Sequence, residues 1–217
     1  YFSGTERSHI GGDIYRVRLD GTGLTRLSQT AGTHTATFSP GLVHYLDIWS
    51  DLHTPPQVRV HRSDGTAVRT VHESPIPALT GLRLVRPEFL QVKTRDGFTM
   101  EAILYKPVNA SAARKVPVMQ FTYGGPYAPR VANRWGGAGH LYYQLLADRG
   151  IAVWICDNRS ASGKGIQSAW TSYKQLGVQE LADIEDGLSW LRKQPWADGR
   201  FGLDGWSYGG FMTTYAL

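Results

Sequence analysis

Asp204-Gly205-Trp206-Ser207-Tyr208-Gly209-Gly210 is the stretch of sequence that decides the interpretation of this chain. It has the pattern G-x-S-x-G and lies between a short apolar run at 201–203 and a run at 211–217 that fits a helix. In such a strand–turn–helix segment the serine sits on a tight turn that exposes its hydroxyl, and the glycines let the turn close. This context predicts that Ser207 is a nucleophile on an elbow, and not a serine in a Gly-rich loop.

The elbow predicts an α/β-hydrolase, and it raises the question of the base. A serine hydroxyl is a poor nucleophile at neutral pH and needs an adjacent base. In this fold the acid and the histidine of the triad follow the serine in chain order. Residues 208–217 contain no Asp, Glu or His. We therefore expect a fragment of a serine hydrolase, with the triad Asp and His beyond the C-terminus.

The other polar candidates have plainer expected roles. None of the seven histidines occupies the position of the base: six are expected on strand or turn surfaces, and His140 at a surface or as a helix cap. The acidic neighbours Asp183, Glu185 and Asp186 are expected on a solvated helix face. The chain has no H-E-x-x-H motif and no Cys/His cluster, so neither a metal site nor a cofactor is predicted.

The composition is that of a globular protein. Hydrophobic residues make up 41% of the 217 residues and charged residues 19%, which supports a packed core. The formal net charge is +5, but the basic residues are scattered, which favours solvated strand faces over a nucleic-acid patch. No apolar run approaches ~18 residues, so no transmembrane span is predicted in this stretch. The single cysteine, Cys156, is expected to be a buried thiol.

In the first half of the chain, apolar and polar residues alternate as they do in β-strands. Two alternating segments, 14–27 and 58–71, each turn at an Asp-Gly pair, Asp20-Gly21 and Asp64-Gly65, and such a pair is a strong hairpin signal. Residues 35–48 supply further strands between the two hairpins. The spacing of the hairpins falls in the period of ~40–45 residues that is typical of propeller blades. A β-propeller is therefore predicted, with a piece of a β-sandwich as the alternative.

The second half alternates apolar strands with helical spacing. A hairpin is predicted around Arg95-Asp96-Gly97, and helices end near Gly150 and Gln194. Strands alternating with helices predict a mainly parallel sheet with helices on both faces. The predicted strands are 89–93, 98–105, 116–123, 151–155 and 201–204, and the predicted helices are around 141–150, 178–194 and 211–217.

Three parts follow from these patterns. Residues 1–78 are expected to form the C-terminal blades of a β-propeller. Residues 79–87 are a connector, because prolines flank this transition. Residues 88–217 are expected to form an α/β-hydrolase catalytic domain that is truncated after the nucleophile elbow.

Two tyrosines are candidates for stabilising an oxyanion. One donor in this fold is the backbone N–H of the residue after the nucleophile, here Tyr208. The second comes from the loop after the third strand, which we identify with residues 121–126. Because a tyrosine hydroxyl can act as such a donor, Tyr123 is predicted to contribute it.

The segments Gly205–Gly210 and Phe121-Thr122-Tyr123-Gly124-Gly125-Pro126, with the propeller-like strands before them, resemble the prolyl oligopeptidase clan (S9 family), and within it the dipeptidyl peptidase IV branch. The resemblance covers essentially the whole chain. It implies that Ser207 is the nucleophile, Tyr123 the oxyanion tyrosine, and Tyr208 both an oxyanion N–H and a wall of the proline pocket. Trp206 would lie at the edge of the substrate cleft.

The resemblance implies a serine peptidase that releases N-terminal dipeptides with Pro or Ala second. An acylaminoacyl peptidase, an oligopeptidase or an esterase of the same fold is one alternative, and a non-catalytic propeller-hydrolase scaffold is another. The acidic pair that would grip a free amino terminus is expected before Tyr1, and Ser160 stands where the family usually has glycine.

The partner expected from this resemblance is a peptide substrate, with no nucleic acid, and the likeness is compatible with a homodimer of the full-length protein. It favours a periplasmic or other extracytoplasmic location, and no signal peptide is visible in 1–217.

Overall fold

The structure is a computed structural model that describes residues 1–217. The chain folds as two compact units: residues 1–82 with 132–137, and residues 83–131 with 138–217. The chain passes from one unit to the other at 82/83, inside the stretch that the sequence predicts as a connector. A single 3-10 turn, Pro77–Leu79, precedes this point.

The first unit consists of two antiparallel sheets. The smaller sheet has the order β1-β2-β3 and the larger one the order β4-β5-β6-β7. The strands are β1 (Phe2–Gly4), β2 (Asp13–Arg16), β3 (Thr25–Arg26), β4 (Thr33–Phe38), β5 (His44–Ser50), β6 (Gln57–Arg62) and β7 (Ala67–His72).

Both predicted Asp-Gly hairpins form. Strand β2 pairs antiparallel with β3, and β6 pairs antiparallel with β7. The Asp64 carboxylate accepts a hydrogen bond of 2.8 Å from the N–H of Thr66, and Gly65 takes a φ of +96° that favours glycine. An aspartate that bonds its own backbone two residues on is a common way to close such a turn.

Two of the six histidines in this unit do not lie on its surface. Side chains of β5 alternate between an exposed and a buried face, and Asp47 lies on the buried face. A buried carboxylate needs a partner, and His34 supplies it, with Nδ1 2.7 Å from the Asp47 Oδ2. His61 is half-buried and stacks on Tyr45, with the ring centroids 5.1 Å apart. The expectation of surface positions is therefore wrong for His34 and His61.

The second unit is built on one five-stranded sheet of order β12-β10-β11-β9-β8. None of its helices has the length and apolarity needed to cross a membrane. The strands are β8 (Glu88–Lys93), β9 (Thr99–Tyr105), β10 (Val116–Phe121), β11 (Ala152–Cys156) and β12 (Ala197–Asp204); the helices are α1 (Gly137–Asp148), α2 (Ile166–Trp170), α3 (Val178–Arg192) and α4 (Tyr208–Tyr215).

This sheet is mixed, which corrects the expectation of a mainly parallel one. Strand β10 runs parallel to β11 and β12, whereas β9 is antiparallel to both β11 and β8. The reason is local: β8 and β9 are joined by the tight turn around Gly97, and strands joined by so short a turn must be antiparallel.

Helices cover both faces of the sheet, as the alternating pattern predicts. On one face Trp190 of α3 stacks on Trp154 of β11, with the ring centroids 5.2 Å apart. On the other face Tyr143 of α1 packs against Tyr105 of β9 and Phe121 of β10, with ring centroids 5.6 and 4.8 Å from its own. The packed core lies between the sheet and α3, where Leu191 is fully buried.

The topology brings three loops to one edge of the sheet. The chain leaves β10 over one face through α1 to reach β11, and leaves β11 over the other face through α3 to reach β12. The connections therefore change direction at β10, and in open sheets ligands bind outside the carboxyl ends of the strands at such a point. The loops that begin at Thr122, Asp157 and Gly205 all start at this edge.

Candidate active site

Ser207 occupies the turn between β12 and α4. Its φ of +57° and ψ of −118° lie outside the regions that residues with a side chain normally adopt. The residue is exposed at the carboxyl edge of the sheet. Strained backbone of this kind is found where the surrounding structure holds a residue in place for a function. The geometry therefore fits the predicted elbow.

The two glycines that flank Ser207 are required by close backbone packing. A Cβ on Gly205 would overlap the backbone of Gly209, and a Cβ on Gly209 would overlap the carbonyl oxygen of Thr122. The elbow therefore closes on itself and also rests directly on the loop after β10. Only glycine allows so close an approach.

Tyr123 lies in that loop and faces the residue after the nucleophile. Its ring is half-buried, and the ring centroids of Tyr123 and Tyr208 are 6.3 Å apart. A Cβ on Gly125 would lie 2.9 Å from the Tyr123 ring and 3.3 Å from the Tyr208 ring. Gly125 thus lets the two tyrosines approach each other across the elbow.

The backbone N–H of Tyr208 is placed to receive negative charge. Tyr208 is the first residue of α4, and the first N–H groups of an α-helix have no partner within the helix. The positive end of the helix dipole lies at the same place. An oxyanion formed beside Ser207 would accept a hydrogen bond from this N–H and would be stabilised by the helix dipole.

The side chain of Tyr208 is anchored by a residue that the sequence analysis missed. Its hydroxyl donates a hydrogen bond of 2.8 Å to Oε1 of Glu180, which is fully buried and accepts a second bond from the N–H of Gly177. Burial and this carboxylate raise the pKa of Tyr208. The spacing of Gly177 and Glu180 at the start of α3 suggests a helix cap, but no local signal links Glu180 to Tyr208.

A cavity of about 370 Å³ opens at the carboxyl ends of β10, β11 and β12. Tyr123, Arg130, Asp204 and Trp206 contribute to its lining. Trp206 borders the cavity. Because the residue is 85% exposed, its indole is free to cover a ligand bound there.

The loop after β11 is fastened to the loop after β10. The buried carboxylate of Asp157 accepts hydrogen bonds from the N–H groups of Arg130 and Val131, and burial raises its pKa to about 6. Ser160 is buried and donates from Oγ to the carbonyl oxygen of Gly124. The serine that stands in the place of a glycine thus closes the loop with an added hydrogen bond.

Arg159 lies at the centre of a charged network. Its guanidinium contacts Asp183 and Asp96 at 2.8 and 2.7 Å, and these bonds raise its own pKa and lower that of Asp96. The expectation of a solvated helix face is wrong for Asp183, whose side chain is fully buried. Asp186 is also largely buried and binds Arg95, and only Glu185 is exposed.

Asp183 is buried because it belongs to the inward stripe of α3, together with Glu180, Ile184, Gly187 and Leu191. The one histidine of the second unit, His140, is likewise more than a surface group, since its Nδ1 lies 2.7 Å from the hydroxyl of Tyr105.

Comparison with known proteins identifies relatives along the whole chain. Residues 96–217 match the family model of X-Pro dipeptidyl-peptidase (S15 family), and residues 1–56 match that of the dipeptidyl peptidase IV N-terminal region. Dipeptidyl peptidase 8 of Mus musculus is 28% identical and the probable dipeptidyl-aminopeptidase B of Emericella nidulans 30% identical, each over all of this chain.

The fold has a close counterpart among solved structures. The crystal structure of Porphyromonas gingivalis dipeptidyl peptidase 4 superposes on 100% of this chain with a TM-score of 0.92 and 30% identity, and the match covers 31% of that chain. The chain spans 25% and 24% of the lengths of the mouse and Emericella proteins. These relatives align with all of its residues, whereas the S15 model matches residues 96–217. The chain belongs to the S9 family of the prolyl oligopeptidase clan, in the dipeptidyl peptidase IV branch.

Proposed function

We propose that the full-length protein is a serine dipeptidyl peptidase that cleaves peptides through an acyl-enzyme and releases N-terminal dipeptides with Pro or Ala second. The observation that carries this proposal is the strained, exposed Ser207 on an elbow packed against the Tyr123 loop. The names of the relatives, all dipeptidyl peptidases or aminopeptidases, support the same reaction.

The residues take distinct roles in this reaction. The Ser207 Oγ attacks the carbonyl carbon of the scissile bond, and the oxyanion that forms accepts hydrogen bonds from the Tyr208 N–H and the Tyr123 hydroxyl. Collapse of this intermediate releases the shortened peptide as its amine, and water then frees the dipeptide from the serine. Tyr208 and Trp206 act as walls for the substrate. The roles of acid and base are not assigned to any residue of 1–217.

The same proposal covers the architecture. The first unit is part of a β-propeller, which the four-stranded meander β4–β7 and the repeated Asp-Gly hairpins support. The second unit is the N-terminal half of an α/β-hydrolase domain, which the elbow after a parallel strand supports. The partner is a peptide, and a homodimer of the full-length protein belongs to the same proposal.

Specificity for a free amino terminus tests the proposal. On the full-length protein, a Gly-Pro substrate with a chromogenic leaving group is compared with its N-acetylated form. A dipeptidyl peptidase loses nearly all activity on acetylation, because the groups that bind the ammonium are then left unpaired. Equal or faster turnover of the acetylated substrate would instead assign the protein to the acylaminoacyl peptidases or oligopeptidases.

A further inference from the structure

Two side chains of the loop after β11 hold one carbonyl group of the loop after β10. Asn158 donates from Nδ2 and Ser160 from Oγ, each to the carbonyl oxygen of Gly124 at 3.2 Å. The Asn158 amide also donates to the Ser160 Oγ at 2.7 Å. In return the N–H of Tyr127 donates to the carbonyl oxygen of Ser160 at 3.0 Å.

These contacts are shielded from water. Asn158 is 2% and Ser160 1% exposed, so water does not replace a bond that is lost. Buried hydrogen bonds of this kind are strong and set a single arrangement of the groups that make them.

The loop that they hold has left-handed backbone at two positions, which glycine adopts freely at Gly124 but which is strained at Tyr127. Gly124 has a φ of +78° and Tyr127 a φ of +56°. A residue with a side chain keeps such a conformation only where its surroundings impose it. Because Gly124 directly follows Tyr123, fixing its carbonyl also fixes the backbone from which the Tyr123 ring projects.

We propose that Ser160 and Asn158 are positioning residues that act through Tyr123: by holding the Gly124 carbonyl they place the Tyr123 hydroxyl where the oxyanion forms. This inference rests on the proposed function. A donor stabilises a transition state only when it is already aimed at the developing charge, and sites of this kind tolerate displacements of no more than about 0.5 Å.

The first test compares three single variants of the full-length protein on the Gly-Pro chromogenic substrate. Each of Ser160→Ala and Asn158→Ala removes one of the two hydrogen bonds to the Gly124 carbonyl oxygen, and each should lower kcat about tenfold with little change in KM. Ser162→Ala is the matched control, because Ser162 is a buried serine of the same loop whose hydroxyl bonds the Arg159 carbonyl and not Gly124. It should keep kcat within about twofold of the wild type.

The second test separates positioning from general stability. In a Tyr123→Phe background, Ser160→Ala should cost less than about twofold in kcat, because the hydroxyl that Ser160 positions is already gone. A loss of the same size in both backgrounds would overturn the inference. Should Ser160→Ala not fold, Ser160→Cys keeps the size and donates only weakly, and the same two outcomes apply to it.

Failure of the proposed function looks different from failure of this inference. If the wild-type protein neither cleaves the substrate nor reacts with a fluorophosphonate probe, the proposed function and this inference are both wrong. If the wild type is active and Ser160→Ala and Asn158→Ala keep its kcat, only the positioning role is wrong.

Discussion

Ser207 stores backbone strain at the point where the reaction is proposed to occur. A residue held in a sparsely populated backbone region costs of order 1–3 kcal/mol. The close packing of Gly205 on Gly209 and of Gly209 on Thr122 holds it there. The same turn leaves Ser207 exposed at the carboxyl ends of the strands, where a substrate carbonyl can reach it.

Tyr123→Phe isolates the second oxyanion donor, since it keeps the ring and removes only the hydroxyl. We expect kcat to fall by about 10²–10³ with KM little changed, because the bond strengthens only in the transition state. Steady-state kinetics on the full-length protein measure this. Tyr215→Phe, on the exposed side of α4, is the control and should behave as the wild type. A normal kcat in Tyr123→Phe would show that Tyr123 is only a packed aromatic.

The role of a residue could be predicted from the sequence where it depends on neighbours in the chain. Ser207 and its glycines form a motif within seven positions, and Tyr123 follows an apolar strand. Glu180 and Asp183 were not predictable in their roles, because their partners Tyr208 and Arg159 lie far away in the chain. His34 was missed for the same reason, since burial of Asp47 creates the need for its imidazole.

At the scale of elements, the elbow depends on how closely β12 and α4 pack on the loop after β10. Gly209→Ala should displace the elbow, because the new methyl group overlaps the Thr122 carbonyl oxygen. A displacement of about 1 Å is sufficient to cost about 10² in kcat, and overpacking costs about 1–3 kcal/mol of stability. Melting temperature and kcat report the two effects.

Gly210→Ala is the matched control for this change. Gly210 lies in the same helix, but a Cβ there has its nearest contact at an ordinary 3.5 Å, from the Gly205 carbonyl oxygen. It should leave kcat unchanged and keep or raise stability, because alanine favours the helix. Equal behaviour of the two alanine variants would contradict the close packing of the elbow.

The elements themselves were largely predictable because their periodicity is clear. Strands β8–β12 and helices α1, α3 and α4 coincide with predicted segments, although their ends differ by a few residues. Helix α2 was not predicted, because its five residues are too few for a helical period to stand out. The mixed direction of the sheet follows from the β8–β9 hairpin, which the sequence did predict.

At the scale of the whole molecule, the proposed function depends on three loops that meet at one edge of the sheet. The loop after β12 carries Ser207, the loop after β10 carries Tyr123, and the loop after β11 fastens the latter through Asp157, Asn158 and Ser160. Arg159 ties this third loop to Asp183 of α3 and to Asp96 of the β8–β9 turn. Elements spread over the second unit thus set the geometry around one serine.

The measurement that tests the central claim most directly is the reactivity of Ser207 in the full-length protein. The wild type should be labelled by a fluorophosphonate probe and should cleave the Gly-Pro substrate. Ser207→Ala should not be labelled, and its kcat should be lower by roughly 10⁶, whereas Ser111→Ala, at an exposed serine of the same unit, should match the wild type. Undiminished labelling and turnover in Ser207→Ala would contradict the account, because the nucleophile would then be another residue.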